Sequence, residues 1–422
     1  MEDRIFDPPP PAFDRRLDPA STHPIAVAYS GGGDSLAALA ATLAWARRAG
    51  RAVVAIHVDH RLQPASGDWA RLAEANAARL GARFVGLSWA GDKPAHGVSA
   101  AARRARHALI AEAAREAGAK VVVLGHTADD RLEADLMRAE GSSLGWLYEW
   151  RPSPVWPEGR GVFLLRPLLG LRRAEIRERL ASLGLAWIED PANADPAFLR
   201  ARVRARAGAE DLRPAPPAPD PADGLAALAA MARIDAHGAL TLARGAFAEA
   251  QTEPARRFLS AALACVGGGE HPPRRERLIA LAVRLAGPEA FTATLAGVKI
   301  IAADPILLAR ESGSYRRHGA PQTPLEPGQS VVWDGRFALT SHADVPGLVR
   351  PLAGLAKKLP QKQRDRLALA PAPVRAALPV WIAQDGEATC PLLAEDAPLT
   401  AALLVRKRLA GACGVISQEQ GV

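Results

Sequence analysis

Apolar residues in the first two hundred positions follow two rhythms. Short unbroken runs at 25–29, 53–58, 83–88, 120–124 and 162–166 have the length of buried strands. Between them, stretches rich in Ala, Leu and Arg at 35–49, 68–80, 99–117, 129–140 and 172–183 repeat apolar residues at helical spacing. Gly50, Gly81 and Gly118 stand where three of these helices should stop. Strands alternating with helices of roughly 12 residues predict an α/β fold, a doubly wound parallel sheet with helices on both faces.

The pattern changes further along. Residues 211–224 are a Pro/Ala/Asp segment and read as a stiff linker. Residues 225–286 carry helical spacing, and from about Val298 short strand-like runs such as 330–333, 337–340 and 380–382 alternate with Gly, Pro and Asp. The predicted organisation is an N-terminal extension at 1–22, a nucleotide-binding domain at 23–210, the linker, a helical domain at 225–297 and a β-containing domain at 298–422.

Composition narrows the chemistry. The 422 residues include three cysteines, Cys265, Cys390 and Cys413, so a cysteine nucleophile or an iron–sulfur cluster in the first 264 residues is excluded. No apolar run is long enough to span a membrane, and the acidic, proline-rich start lacks the pattern of a signal peptide, so a cytoplasmic protein is expected. The net charge of +8 suits a polyanionic partner, although high Ala, Arg and Pro with little Lys also describes a GC-rich genome.

The segment Ser30-Gly31-Gly32-Gly33-Asp34-Ser35 follows the first strand directly and opens the first long helix. Glycines let the backbone turn sharply and approach a ligand. The helix start directs N–H groups and a positive dipole end at the same place, and two hydroxyls flank it. This is a phosphate site. It is neither a Walker A loop, which needs Gly-Lys-Ser/Thr, nor a Gly-x-Gly-x-x-Gly dinucleotide loop. Asp34 would repel a phosphate unless a cation lay between them, so Asp34 is a candidate Mg²⁺ carboxylate. Ser-Gly-Gly-x-Asp-Ser is the signature of the PP-loop ATP pyrophosphatases, and the resemblance implies cleavage of ATP between its α and β phosphates.

Ligands of an open parallel sheet bind beyond the carboxyl ends of its strands. There the chain places His57-Val58-Asp59-His60 after the second strand, and Gly125-His126-Thr127-Ala128-Asp129-Asp130 with Glu133 after the fourth. Thr127 and Asp129 also suit helix capping. Together with Arg166-Pro167-Leu168-Leu169, Glu189-Asp190-Pro191-Ala192-Asn193-Ala194-Asp195 and Phe198-Leu199-Arg200-Ala201-Arg202-Val203-Arg204, these motifs resemble the tRNA(Ile)-lysidine synthetases, in that family's order across 24–206. The resemblance implies an enzyme that adenylates the wobble cytidine (C34) of a tRNA(Ile) with a CAU anticodon. Free lysine is then joined to C2, with release of AMP and pyrophosphate. It also implies ATP and Mg²⁺ as cofactors, and a homodimer.

On that resemblance, Asp34 and Asp130 would carry Mg²⁺, and Asp129, Asp130 and Glu133 the lysine ammonium. Ser30, Gly31, Gly32, Gly33, Ser35, His57, Asp59, His60, Gly125 and His126 would line the nucleotide site. Arg103 and Arg106, three apart on one helix face, and Arg200 would meet the phosphate charge in the transition state. The nucleotide-binding domain has only Lys93 and Lys120 as lysines, so arginine must do its cationic work. Departures from the family pattern fall at Arg61, Gln63, His107 and Ala201, at 131–135 and in the loop at 140–150. The alternatives are another PP-loop tRNA-modifying or amide-forming enzyme, and a non-catalytic RNA-binding factor.

Overall fold

The computed structural model describes residues 6–90, 93–94, 96–142, 146–182, 184–197, 199–214, 222–247, 252–269 and 272–422. The chain divides into two compact units, Met1–Asp220 with Ile416–Val422, and Pro221–Val415.

The first unit runs α1 (Ala12–Arg16), β1 (Ile25–Ala28), α2 (Gly33–Ala49), β2 (Val53–Asp59), α3 (Ser66–Leu80), β3 (Arg83–Ser88), α4 (Val98–Glu116), β4 (Val121–Val123), α5 (Ala128–Ala139), β5 (Trp150–Pro152), β6 (Phe163–Leu165), α6 (Arg173–Ala181) and α7 (Leu199–Ala209). Its sheet has the order β3-β2-β1-β4-β6-β5. All pairings are parallel except the edge strand β5, which runs antiparallel to β6. The predicted doubly wound sheet is therefore present, with its order reversing between β1 and β4. That reversal opens the crevice where such sheets bind ligands. Strand periodicity decides the layers. Ile25, Val27, Val53, Ala55, Val121 and Val123 face α2, α3 and α6. Ala26, Val54, Ile56, Val122 and Leu124 face Ile110, Ala113 and Ala114 of α4.

Residues 1–22 were expected as an extension. Instead Phe6, Phe13 and Leu17 are buried in the first core, and Phe13 stacks on Trp45 at 6.1 Å between ring centroids. The other end of the chain returns to this unit. Ile416 and Val422 pack against the same core, and the Trp150 indole donates to the Ile416 carbonyl at 3.0 Å. Glu419 is 2 % exposed and takes both Nη atoms of buried Arg51 at 2.7 Å. It also accepts the Asp18 N–H at 3.0 Å. Arg51 precedes β2, so this clasp lies at the amino ends of the strands, away from the phosphate loop.

The second unit holds α8 (Ala222–Met231), β7 (Arg233–Ile234), β8 (Leu240–Leu242), α9 (Glu253–Gly267), α10 (Arg275–Ala286), β9 (Phe291–Leu295), β10 (Val298–Ala302), β11 (Ile306–Arg310), α11 (Gly313–His318), β12 (Thr323–Leu325), β13 (Ser330–Trp333), β14 (Phe337–Ser341), β15 (Gly347–Pro351), α12 (Gln361–Leu369), α13 (Ala372–Arg375), β16 (Pro379–Ile382), β17 (Ala388–Thr389), β18 (Leu399–Leu403) and α14 (Val405–Ala412). The first sheet, β7-β8-β11-β10-β9, packs on α8, α9, α10 and α14. Two smaller sheets, β12-β15-β16-β17 and β13-β14-β18, complete the unit.

The expected boundary at 297/298 falls in the turn of the β9–β10 hairpin, where Ala296 (φ 51°) and Gly297 (φ 73°) are both left-handed. Helix and sheet are thus one layered body rather than two domains. β8 pairs with β11 as Ile306↔Leu242, a partner 64 residues away that local patterning could not reveal. Half of the expected linker, 215–221, lies outside the described residues.

Candidate active site

The phosphate loop is held from three sides. Gly31 has φ +84°, and a Cβ there would lie 2.3 Å from Ile188 Cδ1. The Ile188 N–H donates to the Gly31 carbonyl at 3.0 Å, and Gly32 bridges to Ile188. The segment before Glu189 therefore braces the loop. Ser35 Oγ donates to the Gly32 carbonyl at 2.9 Å and accepts the Ser30 N–H at 3.2 Å. Gly125, at the end of β4, passes so close that a Cβ would sit 2.4 Å from the Asp34 carbonyl oxygen. Both hydroxyls are thus partly spent on shaping the loop. At the start of α2 Gly32 caps the helix without a side-chain bond, an arrangement whose helix-start N–H groups suit an anion.

Asp34 points from this helix start to Arg173, whose Nε donates to Asp34 Oδ2 at 3.0 Å. The same guanidinium reaches Glu133 Oε1 at 3.3 Å and Asp130 Oδ1 at 3.6 Å. Asp130 is oriented by a capping box, its Oδ2 accepting the Thr127 N–H at 2.8 Å and Oγ1 at 2.9 Å. From α7, Arg200 donates to Asp130 Oδ1 at 2.6 Å and Glu133 Oε2 at 2.8 Å, and Arg204 to Glu133 Oε1 at 2.7 Å. Burial alone would raise the Glu133 carboxyl, but Arg204 and Arg200 hold it below its ordinary range. At Asp34 burial outweighs the attraction of Arg173, and its carboxyl is pushed up.

Asp129 turns away from this group. It accepts Arg172 Nε at 3.0 Å and the Arg173 N–H at 2.7 Å, and so anchors the start of α6. Beyond Arg200 and Arg204, Arg206 pairs with Glu140 at 2.6 Å, and Arg202 donates to the carbonyls of Pro196 and Ala197.

A second group is cationic, and among the described residues no carboxylate pairs with it. Arg103 and Arg106 of α4 lie close enough to Arg200 that their charges repel. Burial, then Arg103 and Arg200, push Arg106 down to about 10. Burial and Arg103 bring Arg166 to about 10 as well. Arg166 Nε donates to His126 Nδ1 at 3.3 Å, and its Nη1 to the Tyr148 carbonyl at 2.8 Å. Arginine has no acceptor, so His126 accepts at Nδ1 and carries its proton on Nε2, aimed elsewhere as a donor. Burial and then Arg166 hold the His126 imidazole well below its ordinary pKa, so it is neutral. His57 Nδ1 lies 3.0 Å from the Tyr29 carbonyl, and burial keeps this ring neutral too. His60 meets Trp89 edge-on at 6.1 Å, and Asp59 accepts the Arg61 N–H at 2.7 Å.

Sequence reasoning placed Asp34, Asp130, Glu133 and Arg200 in the site, and the fold brings these four together. It missed Arg173 and the role of Arg166. One signal was available for Arg173. Arg172 and Arg173 are cations at a helix amino end, against the dipole. Among the described residues no group of three or more His, Cys, Asp or Glu is arranged to hold a metal.

A glycine-rich loop at the switch point of this sheet, beside arginines and carboxylates, defines a PP-loop enzyme, and the family profile described as a PP-loop domain matches residues 11–210. The tRNA(Ile)-lysidine synthase of Caulobacter vibrioides is 48% identical over 97% of this chain and 97% of its own length. Those of Hyphomonas neptunium (39% identical, 75% of this chain, 86% of that one) and Rhizobium meliloti (34%, 88% and 82%) are also similar. The chain belongs to the tRNA(Ile)-lysidine synthase family. Among solved structures, the U34-tRNA thiolase NcsA from Methanococcus maripaludis covers 50% of this chain at 16% identity and a TM-score of 0.39, a likeness too slight to carry an argument.

Proposed function

We infer that this chain uses ATP to adenylate the wobble cytidine of a tRNA(Ile) bearing a CAU anticodon and then joins lysine to C2, forming lysidine. The observation that carries the reading is the adjacency of two opposed fields, a phosphate loop with uncompensated arginines and a buried acidic pair beside it. The first suits a triphosphate, the second an ammonium.

In the first step O2 of the cytosine attacks the α-phosphorus, and the bond to the β-phosphate breaks as pyrophosphate leaves. The helix start at Gly32 and Gly33 holds phosphate oxygens. Arg103 and Arg106, for which the described residues show no carboxylate partner, meet the charge that grows on the phosphorus. His126 adds a neutral Nε2–H donor that needs no titration.

In the second step the lysine ε-amine attacks C2, and AMP leaves with the oxygen. The amine must arrive as its free base. Asp130 and Glu133 attract the ammonium and orient it toward C2. Asp129, engaged with α6, acts through the backbone rather than on lysine.

Asp34 and Asp130 fit Mg²⁺. Both offer carboxylate oxygen, the hard donor Mg²⁺ prefers, and both already converge on one cation, Arg173. Bound there with the nucleotide, the metal would neutralise phosphate charge. The basic residues Lys357, Lys358, Lys362 and Arg364 of the second unit are exposed and suit the tRNA backbone.

The test is incubation with ATP, Mg²⁺, radiolabelled lysine and an unmodified tRNA(Ile) transcript. Acid-precipitable label that requires lysine and vanishes in Asp34→Ala is expected. Pyrophosphate release without label would retain the PP-loop chemistry and overturn lysine as nucleophile.

A further inference from the structure

The acidic floor of the site already holds a cation. Arg173 is the one side chain among the described residues that touches Asp34, Asp130 and Glu133 together. Charges there balance: three carboxylates, Asp34, Asp130 and Glu133, face three guanidiniums, Arg173, Arg200 and Arg204. A divalent ion arriving at Asp34 with Arg173 in place would stand against a guanidinium at contact distance, where like charges repel strongly.

The partners of these groups are unequal. Asp130 keeps Arg200 and the Thr127 cap, and Glu133 keeps Arg200 and Arg204, so neither is stranded if Arg173 moves. For Asp34 the structure gives one side-chain partner, Arg173. Arg173 does not use all its donors: Nε and Nη1 are bonded to Asp34 and Glu133. Its Nη2 is buried without a hydrogen bond, and its nearest carboxylate oxygen, on Asp130, is 3.6 Å away. Its backbone is pinned, because the N–H donates to Asp129 and Arg172 grips the same carboxylate. The start of α6 therefore stays in place while the long side chain swings.

We propose that Arg173 is a placeholder cation: it keeps the three carboxylates converged in the waiting site and gives up Asp34 when a divalent cation enters with the nucleotide. This rests on the reading of Asp34 as a metal carboxylate, and it adds a residue that competes with the metal rather than binding it. Arg173 is a positioning residue. The exchange also turns a guanidinium free beside the phosphate loop as the phosphates arrive.

The sign of one measurement decides. Mn²⁺ is titrated, by electron paramagnetic resonance, into the full chain with α,β-methylene-ATP. A competitor's removal strengthens Mn²⁺ binding, whereas loss of a merely structural arginine weakens it or leaves it unchanged. Arg173→Met is expected to lower the Mn²⁺ dissociation constant about tenfold, the scale of one unscreened charge in a half-buried site. A folded Arg173→Met with unchanged or weaker Mn²⁺ binding overturns the proposal. If that variant does not fold, Arg173→Lys decides. It keeps the charge but cannot bridge three carboxylates at once, and a several-fold tightening is expected. Asp34→Asn is measured alongside. Should it leave Mn²⁺ binding unaltered, the metal role of Asp34 fails, and that outcome is distinct from an Arg173 result of the wrong sign.

Discussion

Gly125 shows how one missing atom places two halves of a site. The end of β4 and the start of α2 meet so closely that any Cβ would press on the Asp34 carbonyl. Gly125→Ala should cost about 1–3 kcal/mol of stability and shift Asp34. Pyrophosphate release should fall at least tenfold while tRNA binding, measured by filter retention, stays. Glu133 makes a different point. Burial raises its carboxyl and two arginines more than reverse this, so its folded pKa lies below the unfolded one. A depressed carboxylate contributes stability that is full above the unfolded value, about 4.3, and is lost as pH falls through the folded value. Glu133→Gln should therefore destabilise the protein by about 1–3 kcal/mol at pH 7, because it leaves Arg200 and Arg204 short of a partner. The gap from the wild type should narrow as pH drops below 4. Thermal melts across pH 3–7 check both the size and the sign.

Among elements, α6 begins against the usual rule. Two arginines open it where acids are favoured, and Asp129 from α5 repairs the mismatch by accepting from Arg172 and from the Arg173 N–H. A broken local rule often marks function, and here it delivers Arg173 to the acidic floor. The clasp on Arg51 follows the ordinary logic of buried ion pairs. Removing one partner leaves a charge stranded, while replacing both with apolar residues can be nearly neutral. Glu419→Ala should cost about 3 kcal/mol in urea unfolding. The double change Arg51→Met with Glu419→Leu should recover much of that loss. A double variant as unstable as the single would deny that the stranded charge is the cause.

For the whole molecule, the return of Ile416–Val422 means that the second unit is joined to the first at both ends of its sequence. Deleting those seven residues should lower the melting temperature of the first unit by several degrees, since the Trp150 indole, Arg51 and the core around Ile416 all lose partners. The second unit should keep its own stability, because its cores contain none of these residues. Calorimetry of the full and shortened chains distinguishes the two effects. Neutralising Lys357, Lys358, Lys362 and Arg364 together should weaken tRNA binding and flatten its dependence on salt, by about 0.7–0.9 in log–log slope per lost phosphate contact. An unchanged slope would remove this surface from the tRNA interface.

Strand and helix rhythm made the parallel sheet legible, because buried strands must be apolar throughout and covering helices must repeat every three to four residues. The phosphate loop was legible for a local reason: glycine, helix start and hydroxyl are contiguous in sequence. Asp130 and Glu133 could be placed because they follow a strand end. What local patterning could not decide was partnership. The chain carries many arginines, and spacing alone does not say that Arg173 rather than Arg202 reaches Asp34, or that Asp129 turns toward α6. The pairing of β8 with β11, the stacking of Phe13 on Trp45 and the docking of Glu419 on Arg51 depend on residues distant in the chain, 368 positions apart in the last case. Only the folded chain brings those together, and there the cost of leaving a buried charge or backbone group unpaired selects the partner.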